Sequence, residues 1–597
     1  MILIRTSFVV IVMLVSLPVY SQVTFENVAD EVGISLSRGG GFFGGGVSIY
    51  DFDGDGVEDL AFATENSAEL LIYKNNGFDF EDYSLQLGIS NTSNVQSILW
   101  VDYDNDGDKD LFFTCKNSYN RLYRNDNNNF TEVTGEAGLS TDVQFSTAAA
   151  WADYNNDGFI DLYVGHRNDL IPNTLYKNNG DGTFTDVTEE ANVGDTLGIT
   201  SLYKFPLAIS FIDYNNDNWQ DIYIANDKED GNTLFKNNGD GTFEDVSEQS
   251  NTNLYFNAMG IAVGDYDNDG DWDMYVSNSP EGNALLKNNG DGTFTNVAND
   301  LNITVNKICW GTNFIDIDND TDLDLFVVAS AGATSMSDPE RQNELFENQG
   351  DGTFIKLNIS GINTDTSISY GTAFGDFNND GYCDIVVINS DPTYSALWKN
   401  SGASNNWIKL QLEGTVSNRD GIGSTIKFYL GSTSFIRPVK CGSSYLSQNS
   451  AIQTIGVGSV SVIDSIIINW PSGQIDVMRN VNVNSFYVVE EGSTVTDINE
   501  LEITLTSYKL HQNYPNPFNP STKITFSLAA DSKVNLTVFD VLGQEVVSLI
   551  SGNLAAGSHE IDFNASNINS GVYFYRIDAA GVDGTNFTSV KKMILTK

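Results

Sequence analysis

Seven short stretches of this chain share the pattern D-x-[DN]-x-D-x-x-x-D, each followed by Leu, Ile or Met. They begin at Asp51, Asp102, Asp153, Asp213, Asp265, Asp316 and Asp376. The third position is Asp53, Asp104, Asn155, Asn215, Asp267, Asp318 or Asn378. The fifth is Asp55, Asp106, Asp157, Asp217, Asp269, Asp320 or Asp380, and the ninth is Asp59, Asp110, Asp161, Asp221, Asp273, Asp324 or Asp384. Oxygens at alternate positions of a tight loop converge on one point. A ninth-position carboxylate closes the shell, and the seventh carbonyl adds another oxygen. Calcium requires such a set, six to eight hard oxygen ligands at about 2.3–2.6 Å. The expectation is about one Ca2+ per loop. An Asn at the third position still offers an amide oxygen, with less charge. Gly at the sixth position permits the sharp turn, but Asn218 and Thr321 stand there in the fourth and sixth loops. Asn tolerates left-handed backbone and Thr does so poorly, so the sixth loop is expected to be distorted or its site weaker.

Two plainer readings compete. An EF-hand shares the opening D-x-D-x-D-G but needs a Glu at position 12 and flanking helices. Here strand-like runs such as Leu162-Tyr163-Val164 follow. Turns built from Asp and Asn for their own sake explain one such loop, not seven in register. Of the 28 proposed side-chain ligands, 25 are acidic. Without cations such clusters repel, so millimolar calcium is expected to stabilise the fold.

The elements that must position these loops follow from their spacing. Successive loops start 51, 51, 60, 52, 51 and 60 residues apart, the period of a four-stranded blade rather than of a helical hairpin. Downstream of each comes an aromatic residue or Leu, then K-N or a variant: Tyr73, Tyr123, Tyr176, Phe235, Leu286, Phe346 and Trp398. In four repeats a G-D-G-T-F turn follows, at Gly180, Gly239, Gly290 and Gly350, which reads as a hairpin. The fourth unit divides into strands near 208–213, 221–225, 233–236 and 242–246. The seventh unit lacks its fourth strand. The missing T-F-x-x-V stands at the other end, as Thr24-Phe25-Glu26-Asn27-Val28. An N-terminal strand completing the last blade closes a ring and removes its exposed edges. The predicted fold is all-β: a seven-bladed β-propeller with one Ca loop per blade, over residues 22–404. Motif, period and strand exchange resemble the FG-GAP/VCBS repeats, whose propellers are similar to the head of integrin α chains. The resemblance implies calcium ions that are mainly structural.

From about residue 405 the repeat stops. Asn418-Arg419-Asp420-Gly421-Ile422-Gly423-Ser424, Gly442-Ser443-Ser444-Tyr445-Leu446-Ser447-Gln448 and Asn469-Trp470-Pro471-Ser472-Gly473 resemble the ASPIC/UnbV domain, over 405–491. A small β domain packed on the propeller is expected there. Residues 492–507 read as a linker. Then Asn513-Tyr514-Pro515-Asn516-Pro517-Phe518-Asn519-Pro520 opens a segment of alternating runs that includes Gly571-Val572-Tyr573-Phe574-Tyr575-Arg576 and ends on Lys591-Lys592-Met593. Over 508–597 this is similar to the C-terminal sorting domain of type IX secretion, an immunoglobulin-like β-sandwich. The resemblance implies the type IX machinery as a partner, passage across the outer membrane of a gram-negative bacterium, and a cell-surface or extracellular destination. Arg5, the apolar residues 8–17 and Val19-Tyr20-Ser21 read as a signal peptide over 1–21. No other segment is long and apolar enough to span a membrane.

Composition narrows the function. Asp and Glu number 80 against 30 Lys and Arg, a formal charge of −50. That balance argues against nucleic acid or an anionic membrane as a partner, since binding either needs a basic surface. Cys115, Cys309, Cys383 and Cys441 form no CxxC pair; two disulfides or four buried thiols are both open. Of three histidines, His511 and His559 fall in the sorting segment. His166 beside Arg167 offers a base and a charge stabiliser for a calcium-dependent lyase or hydrolase acting on polysaccharide. No G-x-S-x-G, HExxH or P-loop accompanies it. The reading preferred is a non-enzymatic adhesion or binding module for an extracellular glycan or protein ligand. The polysaccharide-degrading enzyme is the alternative.

Overall fold

The computed structural model describes residues 23–596 except 35, 37–43, 65–69, 78, 90–93, 199–201, 332–340, 360, 391–392, 494–507, 511–512, 514–515, 517, 529, 531, 555–556 and 583–584. The predicted signal peptide and most of the predicted linker lie outside the described residues.

The repeats fold as seven four-stranded antiparallel sheets. The fourth holds Pro206–Ile212, Asp221–Asn226, Thr233–Asn237 and Phe243–Asp245, within two residues of the expected bounds. The second and third are also joined, the first strand of the third to the end of the second strand of the second, through Gln144 with Ser118 and Phe145 with Lys116. The first strand of each sheet touches the first strand of the next, and Ile368–Gly375 of the seventh touches Val47–Tyr50 of the first. The ring is therefore closed. Its closing strand is Phe25–Asn27, antiparallel to Ala396–Asn400 with Phe25 opposite Asn400 and Asn27 opposite Trp398.

The burial of each strand explains its sequence. Second strands such as Asp161–His166 are buried along their whole length, because neighbouring blades cover both faces, and they read as continuous apolar runs. Fourth strands such as Phe184–Asp186 bury only their first residue. That residue is the Phe of the T-F motif, and it packs on the aromatic at the second loop position of the preceding blade. Phe184 meets Tyr103, Phe243 meets Tyr154 and Phe294 meets Tyr214, with ring centroids 5.7–6.0 Å apart. Across the closure Phe80 meets Phe377 at 5.8 Å. The blades are thus glued by aromatic pairs as well as by area.

Residues 406–490 form a second unit of two sheets around one core. The first pairs Asn406–Glu413 with Gln453–Gly458 and, in parallel, with Ser485–Glu490; the other orders Thr433–Pro438, Thr425–Leu430, Val462–Asn469 and Ile475–Asn482. The stretch 441–450 leaves this sandwich and enters the ring. It exchanges hydrogen bonds with the first strands of six blades: Ile49 N to Gln448 O, Trp100 N to Gln448 Oε1, Trp151 N to Cys441 O, Ile261 N to Ser444 O, Thr312 N to Ser444 Oγ, and Ser450 N to Phe374 O, all 2.7–3.2 Å. Only a segment on the ring axis can reach six blades. This loop is a plug. Tyr445 at its tip is fully buried, 4.9 Å from the Trp310 ring. Gly46 faces it so closely that a Cβ there would lie 1.6 Å from Leu446 O.

Residues 508–596 form a further two-sheet sandwich with its own core, of Ser521–Leu528 and Gly557–Asn564 with Lys509–Leu510 against Glu545–Leu554, Ser532–Phe539, Gly571–Gly581 and Asn586–Leu595. All four cysteines are buried free thiols, which leaves no disulfide in the described chain. No helix among the described residues is long and apolar enough to cross a membrane.

Candidate metal centres

Each acidic stretch is the loop joining the first two strands of a blade. Its aspartates first build the loop. The position-one carboxylate accepts the position-five and position-six N–H groups, as Asp51 does from Asp55 at 2.9 Å and Gly56 at 2.7 Å, and the same pair recurs in all seven loops. The position-nine carboxylate, at the start of the second strand, accepts the position-two N–H and the N–H of the K-N asparagine. Asp161 does this from Tyr154 at 3.2 Å and Asn178 at 2.7 Å. These contacts use one lone pair of each oxygen and leave others facing inward.

The inward oxygens converge. Ligand atoms of Asp51, Asp53 and Asp59 lie within 4.8 Å of one another, and so do those of Asp102, Asp104 and Asp110, of Asp265, Asp267 and Asp269, and of Asp316, Asp318 and Asp320. These clusters could hold a metal ion. In the third, fourth and seventh loops the third-position oxygen of Asn155, Asn215 or Asn378 accepts the position-five N–H, at 3.0–3.1 Å.

Two observations fit the loops to a cation. Oδ1 of Asp104 and Oδ1 of Asp267 are buried without any hydrogen-bond partner, and both occupy the third position. Stranded acceptors of that kind are costly unless a cation or donor meets them. The charge is also crowded. Burial, with neighbouring carboxylates adding to it, pushes Asp59 up to about 8, Asp110 to about 9 and Asp265 to about 7. The K-N lysines already lean over the loops: Lys74 contacts Asp53 and Asp55, Lys287 contacts Asp267 and Asp269, and Lys177 lies 3.4 Å from Asp157.

The sixth loop departs from the expectation of distortion. Thr321 does adopt a left-handed φ of +94°, yet the loop's carboxylates converge like the others. The second unit holds it: Arg437 Nη2 donates to Thr321 O at 2.6 Å, Gly458 N to Asn319 O at 2.8 Å, and Asn405 Nδ2 to Asp318 O at 3.0 Å. The same unit covers other loops, with Lys409 on Asp376 and Arg419 N donating to Asn105 Oδ1 at 2.9 Å.

Two asparagine sets escaped the sequence reading. The fourth loop position is left-handed in all seven loops, φ 55–68°, and is Asn in six and Gly54 in the first. Five of these asparagines reach the next blade's loop: Asn105 to Gly158 O, Asn156 to Asn218 O, Asn216 to Asp271 Oδ1, Asn268 to Asp322 Oδ1 and Asn319 to Gly381 O, at 2.7–3.1 Å. The K-N asparagines reach the other way. Asn178 Nδ2 donates to Tyr103 O at 2.8 Å, and Asn75 Nδ2 spans the closure to Phe377 O at 3.0 Å. The repeated Asn at each position was the available signal.

The catalytic candidates sit elsewhere. His166 is 2% exposed, with Nδ1 against Ser146 Oγ at 3.1 Å and Nε2 against Thr174 Oγ1 at 3.2 Å. Burial lowers it to about 4, so the imidazole stays neutral inside its blade. Arg167 is ion-paired with Asp227. The structure thus places His166 within the third blade and ties Arg167 to the fourth.

A closed ring of four-stranded blades, each with an acidic loop between its first two strands, defines a β-propeller whose loops could hold metal ions. The chain belongs to the family described as FG-GAP-like repeat, whose model matches 51–113, 102–164, 153–208, 213–276, 265–327 and 328–387. The ASPIC and UnbV model matches 414–496, and the secretion system C-terminal sorting domain matches 512–596. The sorting domain marks a type IX secretion cargo exported to the cell surface or the extracellular space. The chain is similar to cartilage acidic protein 1 of Xenopus tropicalis, 24% identical over 76% of this chain and 75% of the relative. It is also similar to that of Homo sapiens, 23% identical over 73% and 70%. Among solved structures it is similar to an Agrocybe aegerita protein described as recognising non-reducing terminal N-acetylglucosamine, at 20% identity and TM-score 0.36, over 53% of this chain and 80% of that one. Saccharomyces cerevisiae Sqt1 aligns at 10% identity and TM-score 0.37, over 61% and 98%.

Proposed function

We propose that this exported propeller is a calcium-loaded, non-enzymatic binding module that presents one end of its ring to an extracellular glycan or protein. The loops would hold Ca2+ through the aspartates and asparagines at positions one, three, five and nine, one ion per blade. The ion supplies charge neutralisation and rigidity. The observation that carries the reading is the asymmetry of the ring. The loop end is covered by residues 406–490 and the axis is plugged. At the opposite end, among the described residues, Leu85, Val143, Leu170, Leu202, Tyr255 and Tyr394 stand exposed on the connecting loops. Large apolar side chains exposed on the connections at one end of a ring suit a contact surface.

The test is affinity electrophoresis of the full chain through gels holding a panel of polysaccharides, with calcium and with chelator, followed by sizing of each polymer. Calcium-dependent retardation with intact polymer is the expected result. Shortened polymer would replace the binding module with a polysaccharide-degrading enzyme.

A further inference from the structure

At the end opposite the acidic loops, between the fourth and fifth blades, lies a cleft of about 330 Å³, within the lower range of small-molecule sites. Its walls are the connections 227–232 and 277–283 and the inter-blade stretches 247–260 and 297–307. The strand Asp221–Asn226 starts at an acidic loop and ends at this cleft, so the two sites are roughly 20 Å apart along the sheet.

The rim is Tyr255, 63% exposed yet fixed. Its hydroxyl donates to Glu248 Oε1 at 3.0 Å, and its ring lies against Gly231, where a Cβ would come within 2.9 Å of it. An aromatic face held in place in water is a platform awaiting a partner. The same cleft is lined by two amides and a carboxylate with one end engaged and the other open. Asn257 Nδ2 donates to Ser279 Oγ at 3.3 Å, and its Oδ1 accepts nothing among the described residues. Asn299 Oδ1 accepts from Thr304 Oγ1 at 2.9 Å, and its Nδ2 donates to none of them. Glu281 takes the Ser279 hydroxyl on Oε2, leaving Oε1. Glu229 also lines the cleft, and none of the described lining residues is Lys or Arg.

From this juxtaposition we infer that the cleft binds a neutral saccharide unit. A sugar ring offers an apolar C–H face to Tyr255 and hydroxyls that both donate and accept, which suits Asn257 Oδ1, Asn299 Nδ2 and Glu281 Oε1 together. A uronate or sulfated unit would face two carboxylates without a compensating cation, on a chain of formal charge −50. This inference rests on the glycan form of the binding reading and names its site.

The experiment is calorimetric titration of the full chain, in calcium, with neutral β-1,3-glucan, mannan and chitin oligosaccharides and with acidic oligogalacturonate. A neutral oligosaccharide binds, and Tyr255→Ala and Asn257→Ala each weaken it by about tenfold or more with the melting temperature unchanged. Neutral binding that ignores both substitutions, or binding of the acidic oligosaccharide alone, overturns this site while leaving glycan binding intact. No binding of any oligosaccharide overturns both.

Discussion

Asn319 Nδ2 donates to the carbonyl oxygen of Gly381 at 2.9 Å, so the fourth residue of the sixth acidic loop holds the sixth residue of the seventh. The bond is buried and repeats, with changes of acceptor, from the second loop round to the seventh. Neighbouring loops are therefore mechanically linked, and each blade's loop helps to shape the next one's.

Asn319→Gly keeps the left-handed backbone easy and removes only the bridge. It is expected to lower stability by about 1–2 kcal/mol, the cost of a lost buried hydrogen bond with an acceptor left behind. Asn319→Ala adds left-handed strain and is expected to cost about 1 kcal/mol more. Urea midpoints of the two variants check the order.

Calcium removal is the broadest test of the loops. With ligand at ten times its Kd, each site adds about 1.4 kcal/mol to the native state. Chelator should lower the melting temperature by many degrees, and millimolar calcium should restore it. Magnesium, which needs tighter octahedral geometry, should restore less. A melting temperature indifferent to chelator would sink the calcium assignment.

Among the described residues, the junction of the first and second blades lacks both amide bridges. Gly54 has no side chain to reach the second loop, and Asn125 Nδ2 bonds only within its own blade, to Lys109 O at 3.0 Å. Asp420 of the second unit stands there instead. It accepts from Tyr50 Oη at 3.2 Å and Asp102 N at 2.8 Å and pairs with Lys109. Asp420→Ala strands the Lys109 ammonium and is expected to cost about 3 kcal/mol. Hydrogen exchange should rise first in Val47–Tyr50 and Val95–Val101. Uniform loosening of all seven blades would show that Asp420 is no special staple.

The plug is tested at Gly46. A methyl group there collides with Leu446 O, so Gly46→Ala is expected to expose 441–450 to limited proteolysis while the sandwich of 406–490 keeps its fold. Protection equal to the wild type would argue that the channel accommodates the methyl group.

His166 gives a pH signature apart from the acidic loops. Its folded value is about 4, below the ordinary 6.5, because burial excludes the charged form. The unfolded chain takes up a proton near 6.5 and the native chain does not until near 4. Stability therefore falls as pH drops through that window, by about 3 kcal/mol at its foot. His166→Gln should flatten this part of the profile, measured as unfolding midpoints from pH 7 to 4 in calcium.

Much of this was readable from the chain. The spacing of aspartates located every blade, because the carboxylates that hold each loop's backbone recur at the same positions in every repeat. The exchanged strand at Phe25 was readable because a ring with an incomplete blade must find its fourth strand elsewhere. The plug was not, since Gly442 to Gln448 carries no periodicity, and its small and polar residues make sense only against first strands hundreds of residues away. The hold of Arg437 on Thr321 was equally invisible: local propensity marks Thr at a left-handed position as a fault, and a distant donor corrects it. The cleft at Tyr255 lies on connections whose sequences differ from blade to blade, so repetition gave no guide to it.

The pairing of Phe25–Asn27 with Ala396–Asn400 also fixes a schedule. The first strand made waits for nearly the last strand of the ring, and the segment that fills the axis comes later still. Until about three-quarters of the chain is available, the first blades have an open edge and a hollow centre. Contacts of such sequence separation are slow to form and leave unpaired strands exposed meanwhile. The ring is thus a structure finished all at once and late, and a chain cut short within the repeats would keep most of its acidic loops but have neither closure nor plug.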